Sequence, residues 1–157
     1  VIPGNGNFGE GIKVLKKKII KEKLISFSEK KKVLGICLGM QIFFNSSEED
    51  KKEKGFGFID GNVTKIKSSI YKLPLLGWYD VNLTFENYTK KKSFFFNNSF
   101  AAEPVDKKTI KGYIFNESNK KIVAVTKFHN FYGLQFHPEK SSMNGKNLIL
   151  KILNDEI

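Results

Sequence analysis

Apolar residues in the N-terminal part of the chain recur at helical spacing between glycine-rich turns. After the turn Gly4-Asn5-Gly6-Asn7-Phe8-Gly9, they recur at spacings near three and four, which predicts an amphipathic helix containing Ile12, Leu15, Ile19 and Leu24. The run Lys32 to Ile36 predicts a short buried strand, and Leu38 to Phe44 predicts a helix ending near Asn45. A helix followed by a strand–helix unit is therefore expected here.

The pattern changes after the charged run Glu48 to Lys54, which predicts a surface loop. Beyond it, short apolar and aromatic runs alternate with Gly, Asn and Lys, as is typical of strands. The predicted strands are Phe56 to Ile59, Asn62 to Ile66, Gly77 to Leu83, Ser93 to Phe96, Thr109 to Phe115, Ile122 to Phe128 and Phe131 to Phe136. A closing helix is predicted at Lys146 to Leu153. This order favours an α/β fold, and no linker or repeat divides residues 1–157, so we expect a single domain.

Composition narrows the possible partners. The chain has 157 residues, 40% of them hydrophobic, which is enough for a core, and no apolar run is long enough to cross a bilayer. The net charge of +11 comes from lysine alone, whereas a nucleic-acid reader normally needs arginine for bidentate contacts with guanine and phosphate. The scattered lysines therefore favour a solvated basic surface, with no nucleic-acid or membrane partner.

The single cysteine suggests the cellular compartment of the protein, and the first residues suggest whether its N-terminal part is present. One cysteine cannot form an internal disulfide, and no signal-peptide pattern is present, so the cytoplasm is expected. The chain does not begin with Met, and Val1-Ile2-Pro3 has the character of the end of a strand. We therefore expect that an N-terminal part precedes these residues.

The candidate nucleophile is Cys37, in the sequence Gly35-Ile36-Cys37-Leu38-Gly39 between a predicted strand and a predicted helix. This G-x-C-x-G pattern parallels the G-x-S-x-G nucleophile elbow, in which flanking glycines let the backbone pass closely through a strained turn. The positive end of the following helix is expected to favour the thiolate, and the Leu38 N–H to point at a developing oxyanion. The alternative is a small buried hydrophobe.

A cysteine nucleophile needs a base, and the base needs an orienting group. His137 follows a predicted strand in the sequence GLQFHPEKS, and Glu139 is two residues further on. In an extended segment this spacing places both side chains on one side, so Glu139 is expected to orient the imidazole. The other histidine, His129, is interpreted as an ordinary strand or turn residue.

The glycine-rich turn near the N-terminus is a second candidate for oxyanion binding. Backbone N–H groups of a turn such as Gly4-Asn5-Gly6 form an anion-binding nest. A phosphate-binding loop would need a following Lys-Ser or Lys-Thr pair, which is absent here. The turn alone is a weak signal.

Together these segments resemble the class I, triad-type glutamine amidotransferases. The resemblance is carried, in order, by PGNGNFG, GICLGMQ, GFGFIDGNV, LPLLGW, FFNNSF and GLQFHPEKS, which cover nearly the whole chain. Within that class, the chain is most similar to the amidotransferase subunits of imidazole glycerol phosphate synthase. The resemblance implies a flavodoxin-like, three-layer α/β domain, here expected to lack its first strands.

The resemblance also implies roles for individual residues and a partner. Cys37 would be the nucleophile, His137 the general acid and base, and Glu139 the third member of the triad. The oxyanion hole would comprise Gly4, Asn5, Gly6 and Leu38, and glutamine would be held by Gly39, Gln41, Asn98, Ser99 and Phe100. Ammonia released from glutamine would pass to a (βα)₈-barrel synthase bound as a heterodimer, and no cofactor or metal is expected.

Three departures from the usual family pattern keep alternatives open. The family usually has a small apolar residue in place of Asn5, P-H-M-G-W-N in place of residues 74–79, and H-S-Y in place of residues 98–100. The alternatives are a paralogous subunit that supplies ammonia for amidation of a surface-polysaccharide nucleotide sugar, a non-catalytic regulatory partner on the same fold, and a γ-glutamyl hydrolase. The context of Gln41 and of H-P-E-K-S argues against the last of these.

Overall fold

The computed structural model describes residues 1–15, 18–67 and 72–157. Its helices are α1 (Phe8–Leu15), α2 (Lys18–Ser28), α3 (Leu38–Gln41) and α4 (Ser142–Leu153). Its strands are β1 (Val33–Ile36), β2 (Ser46–Ser47), β3 (Gly61–Lys65), β4 (Leu75–Phe85), β5 (Tyr88–Asn98), β6 (Phe100–Pro104), β7 (Ile110–Phe115), β8 (Lys121–Phe128) and β9 (Phe131–Leu134). Within these residues, no helix has the length and apolar character needed to span a membrane.

The strands form two sheets. The larger is mixed, with the order β1-β9-β8-β7-β4-β5, and the smaller has the order β2-β3-β6. In the larger sheet β1 and β9 pair in parallel, with Gly35 opposite Gly133 and Ile36 opposite Leu134. Their carboxyl ends therefore lie side by side, although the two strands are far apart in the sequence.

Alternating side chains of the larger sheet supply two cores, one on each face. Val33, Val123 and Phe131 pack with α1 and α3 and with side chains of the smaller sheet. Their neighbours Leu34, Ala124 and Tyr132 pack on the opposite face, against Leu148 and Ile152 of α4. The larger sheet is thus the middle layer of three, which confirms the predicted three-layer α/β fold.

Several predicted elements are present, most with ends shifted by one or two residues, but β5 begins five residues and α4 four residues before the predicted start. Strand β1, the strands that became β3, β4, β5, β7, β8 and β9, and the closing helix all occur where the periodicity placed them. The predicted first helix occurs as α1 and α2. Residues 16–17 and the side chain of Ile19 lie outside the described part of the chain.

Two predicted elements were wrong. No strand forms at Phe56 to Ile59; Phe56 and Ile59 are buried, and their N–H groups donate to the carbonyls of Ile42 and Phe43. The predicted helix Leu38 to Phe44 ends early, at Gln41, because the chain then tightens into turns. In those turns the N–H groups of Phe43 and Phe44 bond to carbonyls three residues earlier. Strands β2 and β6 were not predicted.

Candidate active site

Cys37 occupies a sharp turn between β1 and α3. Its backbone has φ 50° and ψ −110°, a strained conformation for a residue with a side chain, and its N–H donates to the Leu134 carbonyl at 2.7 Å. A Cβ at Gly35 would overlap the carbonyl of Gly39, and a Cβ at Gly39 would overlap the carbonyl of Ile2. The two glycines flanking the cysteine are therefore required by close backbone approach, as the G-x-C-x-G pattern predicts.

His137 follows β9, at the same end of the sheet as Cys37. Because β1 and β9 are parallel neighbours, Cys37 and the segment that contains His137 emerge side by side. Phe95 accepts the His137 N–H at 2.8 Å, and the Ser141 hydroxyl donates to the His137 carbonyl at 2.6 Å. The backbone of the candidate base is thus held by β5 and by the turn that leads into α4.

Glu139 contacts the imidazole directly, but through a 3₁₀ turn at Pro138–Lys140 and not through the extended segment that was predicted. Its Oε1 lies 2.7 Å from His137 Nδ1, and the exposed fractions of the two side chains are 55% and 7% respectively. This contact directs His137 Nε2 away from the carboxylate. Within the described part of the chain no hydrogen bond joins Cys37 Sγ to the imidazole, so the sulfur and the candidate base are not directly paired.

The N-terminal glycine turn lies against the cysteine turn. Ile2 bridges to Gly35, donating to Leu34 at 2.7 Å and accepting from Ile36 at 3.0 Å. This extension places Gly4 so close that a Cβ there would overlap the backbone N of Gly39. Asn5 and Gly6 are exposed, and Gly6 has φ 125°. A cavity of about 400 Å³ separates this turn from α1, with Leu38, Gly39 and Ile42 in its wall.

The residues expected to hold glutamine meet around the start of β6. Gln41 Nε2 donates to the Phe100 carbonyl at 3.1 Å, and Asn98 Nδ2 donates to the same carbonyl at 2.9 Å. The Ser99 carbonyl accepts from Ile66 at 2.9 Å. Asn98 Oδ1 is buried and has no partner among the residues that the structure describes. The structure therefore brings Gln41, Asn98 and Phe100 into one hydrogen-bonded group.

Sequence reasoning missed Gln135. Its side chain is fully buried, and its Nε2 lies 3.7 Å from Cys37 Sγ, to which it donates. Its Oε1 accepts from Gln41 at 3.1 Å. The available signal was a lone amide inside the apolar run Phe131 to Phe136, since a buried polar group needs partners.

The pKa of Cys37 departs from the expectation that the helix end favours the thiolate. It is raised from its ordinary value of 9.0 to about 11, chiefly because burial removes water from the thiolate. The Leu38 N–H and the Gln135 amide lower it, while the charges of Glu139 and Glu49 raise it. Desolvation therefore outweighs the short helix α3, and Cys37 is a neutral thiol in the free site.

His129 lies away from this site, as expected. It sits in the turn between β8 and β9, at the opposite end of β9 from His137, with φ 50°. Its ring packs edge-on against Phe128, with the ring centroids 4.4 Å apart.

The geometry agrees with comparisons to known proteins. The family model for class-I glutamine amidotransferases matches residues 1–154. The chain belongs to this family. Among its relatives, the imidazole glycerol phosphate synthase subunit HisH of Pyrococcus furiosus is 39% identical over 95% of this chain and 77% of that protein. The HisH subunit of Pelagibacter ubique is 36% identical over 98% of this chain and 78% of that protein. The resemblance predicted from the sequence is confirmed, and the chain is an amidotransferase by family.

Solved structures support the fold of this amidotransferase. A crystal structure of a glutamine amidotransferase superposes with a TM-score of 0.68 at 12% identity, covering 97% of this chain and 77% of that one. A glutamine amidotransferase of Thermotoga maritima superposes with a TM-score of 0.57 at 18% identity, covering 98% and 60%. At these identities the likeness concerns the fold alone.

Proposed function

We propose that this chain is the glutaminase subunit of an imidazole glycerol phosphate synthase of histidine biosynthesis. It hydrolyses glutamine to glutamate and ammonia and passes the ammonia to a (βα)₈-barrel partner. The observation that carries the proposal is the placement of the strained Cys37 turn beside the His137–Glu139 pair at one sheet edge. The HisH relatives support the choice of pathway.

The reaction begins with proton transfer from Cys37 to His137. Because burial raises the pKa of the thiol to about 11, the sulfur needs a base once glutamine is bound. The thiolate then attacks the side-chain carbonyl carbon of glutamine. His137 then donates its proton to the amide nitrogen, and the C–N bond breaks. Ammonia departs, and a γ-glutamyl thioester remains on Cys37. Glu139 stabilises the imidazolium formed between these steps.

The second half of the reaction hydrolyses the thioester. His137 removes a proton from water, the resulting hydroxide attacks the thioester carbon, and the C–S bond breaks. The sulfur recovers the proton from His137, and glutamate is released. In both halves the oxyanion is stabilised by the N–H of Leu38 and by the Gly4-Asn5-Gly6 turn, each good donor contributing roughly 3–4 kcal/mol.

The remaining candidate residues hold the amino-acid end of glutamine. Gln41, Asn98 and Phe100 are already joined around one carbonyl; Gly39 is two residues before Gln41, and Ser99 lies between Asn98 and Phe100. Asn98 Oδ1, buried and unpaired within residues 1–15, 18–67 and 72–157, supports this assignment, because a buried acceptor without a partner is costly and a substrate ammonium would satisfy it.

An exposed apolar patch beside the site fits the barrel partner. Trp78 is 52% exposed, Leu76 is 63% exposed, and the Trp78 ring packs edge-on against Phe95 at 6.2 Å. We name Leu76, Trp78 and Phe95 the hairpin patch. The carbonyl of Phe95 accepts the His137 N–H, so a partner seated on the patch would contact the strand that holds the candidate base. We place this assembly in the cytoplasm, where the cysteine stays reduced.

The test is glutamate release from glutamine by the full-length chain, with and without a barrel synthase and its acceptor. We expect release to rise with partner and acceptor and to vanish in Cys37→Ser and His137→Asn. The matched control is His129→Asn, which changes the other histidine and should keep the parental rate.

Each contrary outcome identifies a different error. Release that persists in Cys37→Ser would refute the nucleophile. Stimulation by a sugar-amidating synthase instead of the histidine-pathway enzyme would reassign the acceptor. No release with any partner would favour the regulatory alternative.

A further inference from the structure

A chain of buried amides connects the glutamine-holding residues to the nucleophile. The Phe100 carbonyl accepts from Gln41 Nε2 at 3.1 Å, Gln41 Nε2 donates also to Gln135 Oε1 at 3.1 Å, and Gln135 Nε2 donates to Cys37 Sγ at 3.7 Å. This series of hydrogen bonds thus connects the start of β6, helix α3 and the segment after β9.

The direction of these hydrogen bonds is set by the Phe100 carbonyl. A carbonyl oxygen only accepts, so the group of Gln41 that faces it must be the NH₂. That NH₂ has a second hydrogen for Gln135, which must therefore present its oxygen to Gln41. The NH₂ of Gln135 is then left to face the sulfur. Exchanging the oxygen and nitrogen of either amide alone would break this series of hydrogen bonds.

We propose that Gln135 is a positioning residue for Cys37: its side-chain N–H holds the sulfur in place and stabilises the thiolate when it forms. This inference rests on the proposed role of Cys37 as nucleophile. Because Gln41 orients the Gln135 amide, these hydrogen bonds also couple Gln41, which is expected to hold glutamine, to the reacting sulfur. A bound substrate that displaces the Gln41 side chain would therefore also move the Gln135 N–H that donates to Cys37.

The surroundings of the sulfur make this donor important. Burial and the charges of Glu139 and Glu49 disfavour the thiolate, while the Leu38 N–H and Gln135 favour it. The candidate base His137 lies on the neighbouring segment and is not bonded to the sulfur in the free site. Leu38 is needed for the oxyanion, which leaves Gln135 as the side chain committed to the sulfur itself.

The test measures thiolate formation directly, without glutamine. Cys37 is the only cysteine of the chain, so alkylation by iodoacetamide, followed by intact mass against pH, reports this thiol alone. The variants are Gln135→Met, which removes both hydrogen bonds at similar volume, and Gln135→Glu, which keeps the shape but places a carboxylate at the sulfur. The matched control is Thr126→Val, since Thr126 is equally buried and pairs with Gly133 of β9, and its hydroxyl has no partner in the part of the chain that the structure describes.

We expect Gln135→Met to raise the apparent pKa of Cys37 by about one unit, and so to slow alkylation about tenfold at any pH well below that value. Gln135→Glu should raise the pKa further, because a second carboxylate repels the thiolate. Thr126→Val should leave the profile unchanged. A parental pH profile in a folded Gln135→Met chain, with cooperative melting, would overturn the proposal.

Two features keep the test decisive. If Gln135→Met does not fold, Gln135→Glu carries the measurement. If neither variant folds, the measurement is made on Gln41→Met. This substitution removes the hydrogen bond to the Gln135 oxygen, while the Phe100 carbonyl keeps its bond from Asn98. An unchanged alkylation profile would again refute the proposal. Failure of the proposed function is seen separately, as glutamate release that survives Cys37→Ser, whatever the alkylation profile shows.

Discussion

At Cys37, backbone strain and burial act on one residue. A side-chain-bearing residue in such a conformation costs of the order of 1–3 kcal/mol, which its surroundings must offset. Here the parallel neighbour β9 accepts the Cys37 N–H, and both flanking glycines allow close backbone approach. The same burial withholds water from the sulfur, so reactivity depends on nearby donors and a base.

The raised pKa of Cys37 predicts a pH dependence of stability. The folded chain holds the thiol proton up to about pH 11, whereas the unfolded chain releases it near 9.0. The folded state therefore binds more protons between these values, and stability falls as pH rises through them. A shift of this size corresponds to about 3 kcal/mol.

This loss should be absent in Cys37→Ser, because the serine hydroxyl at position 37 does not ionise in that range. The measurement is the free energy of unfolding by urea at several pH values from below 9 to 11, for the parent and the variant. Lysines and tyrosines titrate in both chains, so only the difference between the two curves is diagnostic. Parallel curves would contradict the raised pKa.

The turn between β1 and α3 illustrates how elements determine the site. Neither element is long, and α3 has only four residues. Its position depends on close backbone contacts: Gly39 with Ile2, Gly35 with Gly39, and Gly4 with Gly39. The cysteine turn and the N-terminal glycine turn therefore form one packed unit.

Gly39→Ala should disrupt this unit. The added Cβ overlaps the backbone carbonyl of Ile2, which cannot move without breaking its bridge to Gly35. We expect a loss of about 1–3 kcal/mol of stability and a larger proportional loss of glutaminase activity.

Gly11→Ala is the matched control for that substitution. Its Cβ would meet only the end of the flexible Leu38 side chain, and alanine is favoured over glycine inside a helix. Thermal melting and glutamate release should be measured on both variants. Equal effects would show that the contact with Ile2 is unimportant.

Helix and strand limits reveal where local patterns fail. The apolar run Leu38 to Phe44 has helical spacing, yet only its first four residues are helical. Phe43 and Phe44 are fully buried, and the carbonyls of Ile42 and Phe43 accept hydrogen bonds from Phe56 and Ile59. These tertiary bonds also explain why Phe56 to Ile59 is buried without being a strand.

For the molecule as a whole, the hairpin patch links an exposed surface to the site. It lies on β4 and β5, and β5 holds the backbone of His137. Lys140, next to Glu139, approaches the Phe95 ring at 5.9 Å. A partner bound there would exclude water near the triad and receive ammonia close to where it forms.

Trp78→Ala should weaken partner binding while leaving the fold intact. Exposed aromatic residues at the centre of an interface commonly contribute 2 kcal/mol or more, so we expect roughly a 30-fold or greater weakening of synthase binding. Partner-stimulated glutamate release should fall in parallel.

The control for this substitution is Phe115→Ala, an aromatic residue of similar exposure, 43%, outside the patch. Titration calorimetry with the barrel synthase compares the two variants. Normal binding by Trp78→Ala would place the partner on another surface.

Local patterns along the chain were sufficient to predict the features that depend on near neighbours in sequence. Spacing identified most strands and the closing helix, the two glycines around Cys37 predicted the tight turn, and the separation of His137 and Glu139 predicted their contact. These follow from local geometry, because backbone conformation and side-chain direction repeat over two to four residues.

Which distant segments meet depends on the packing of the whole fold. The parallel pairing of β1 with β9 brings Cys37 beside residues 98 positions away, and it places Gln135 at the sulfur. The packing of the fold also decided the sign of the change in the thiol pKa. Helix ends act locally, but desolvation depends on everything packed around the group, and that packing is not written in any short stretch of sequence.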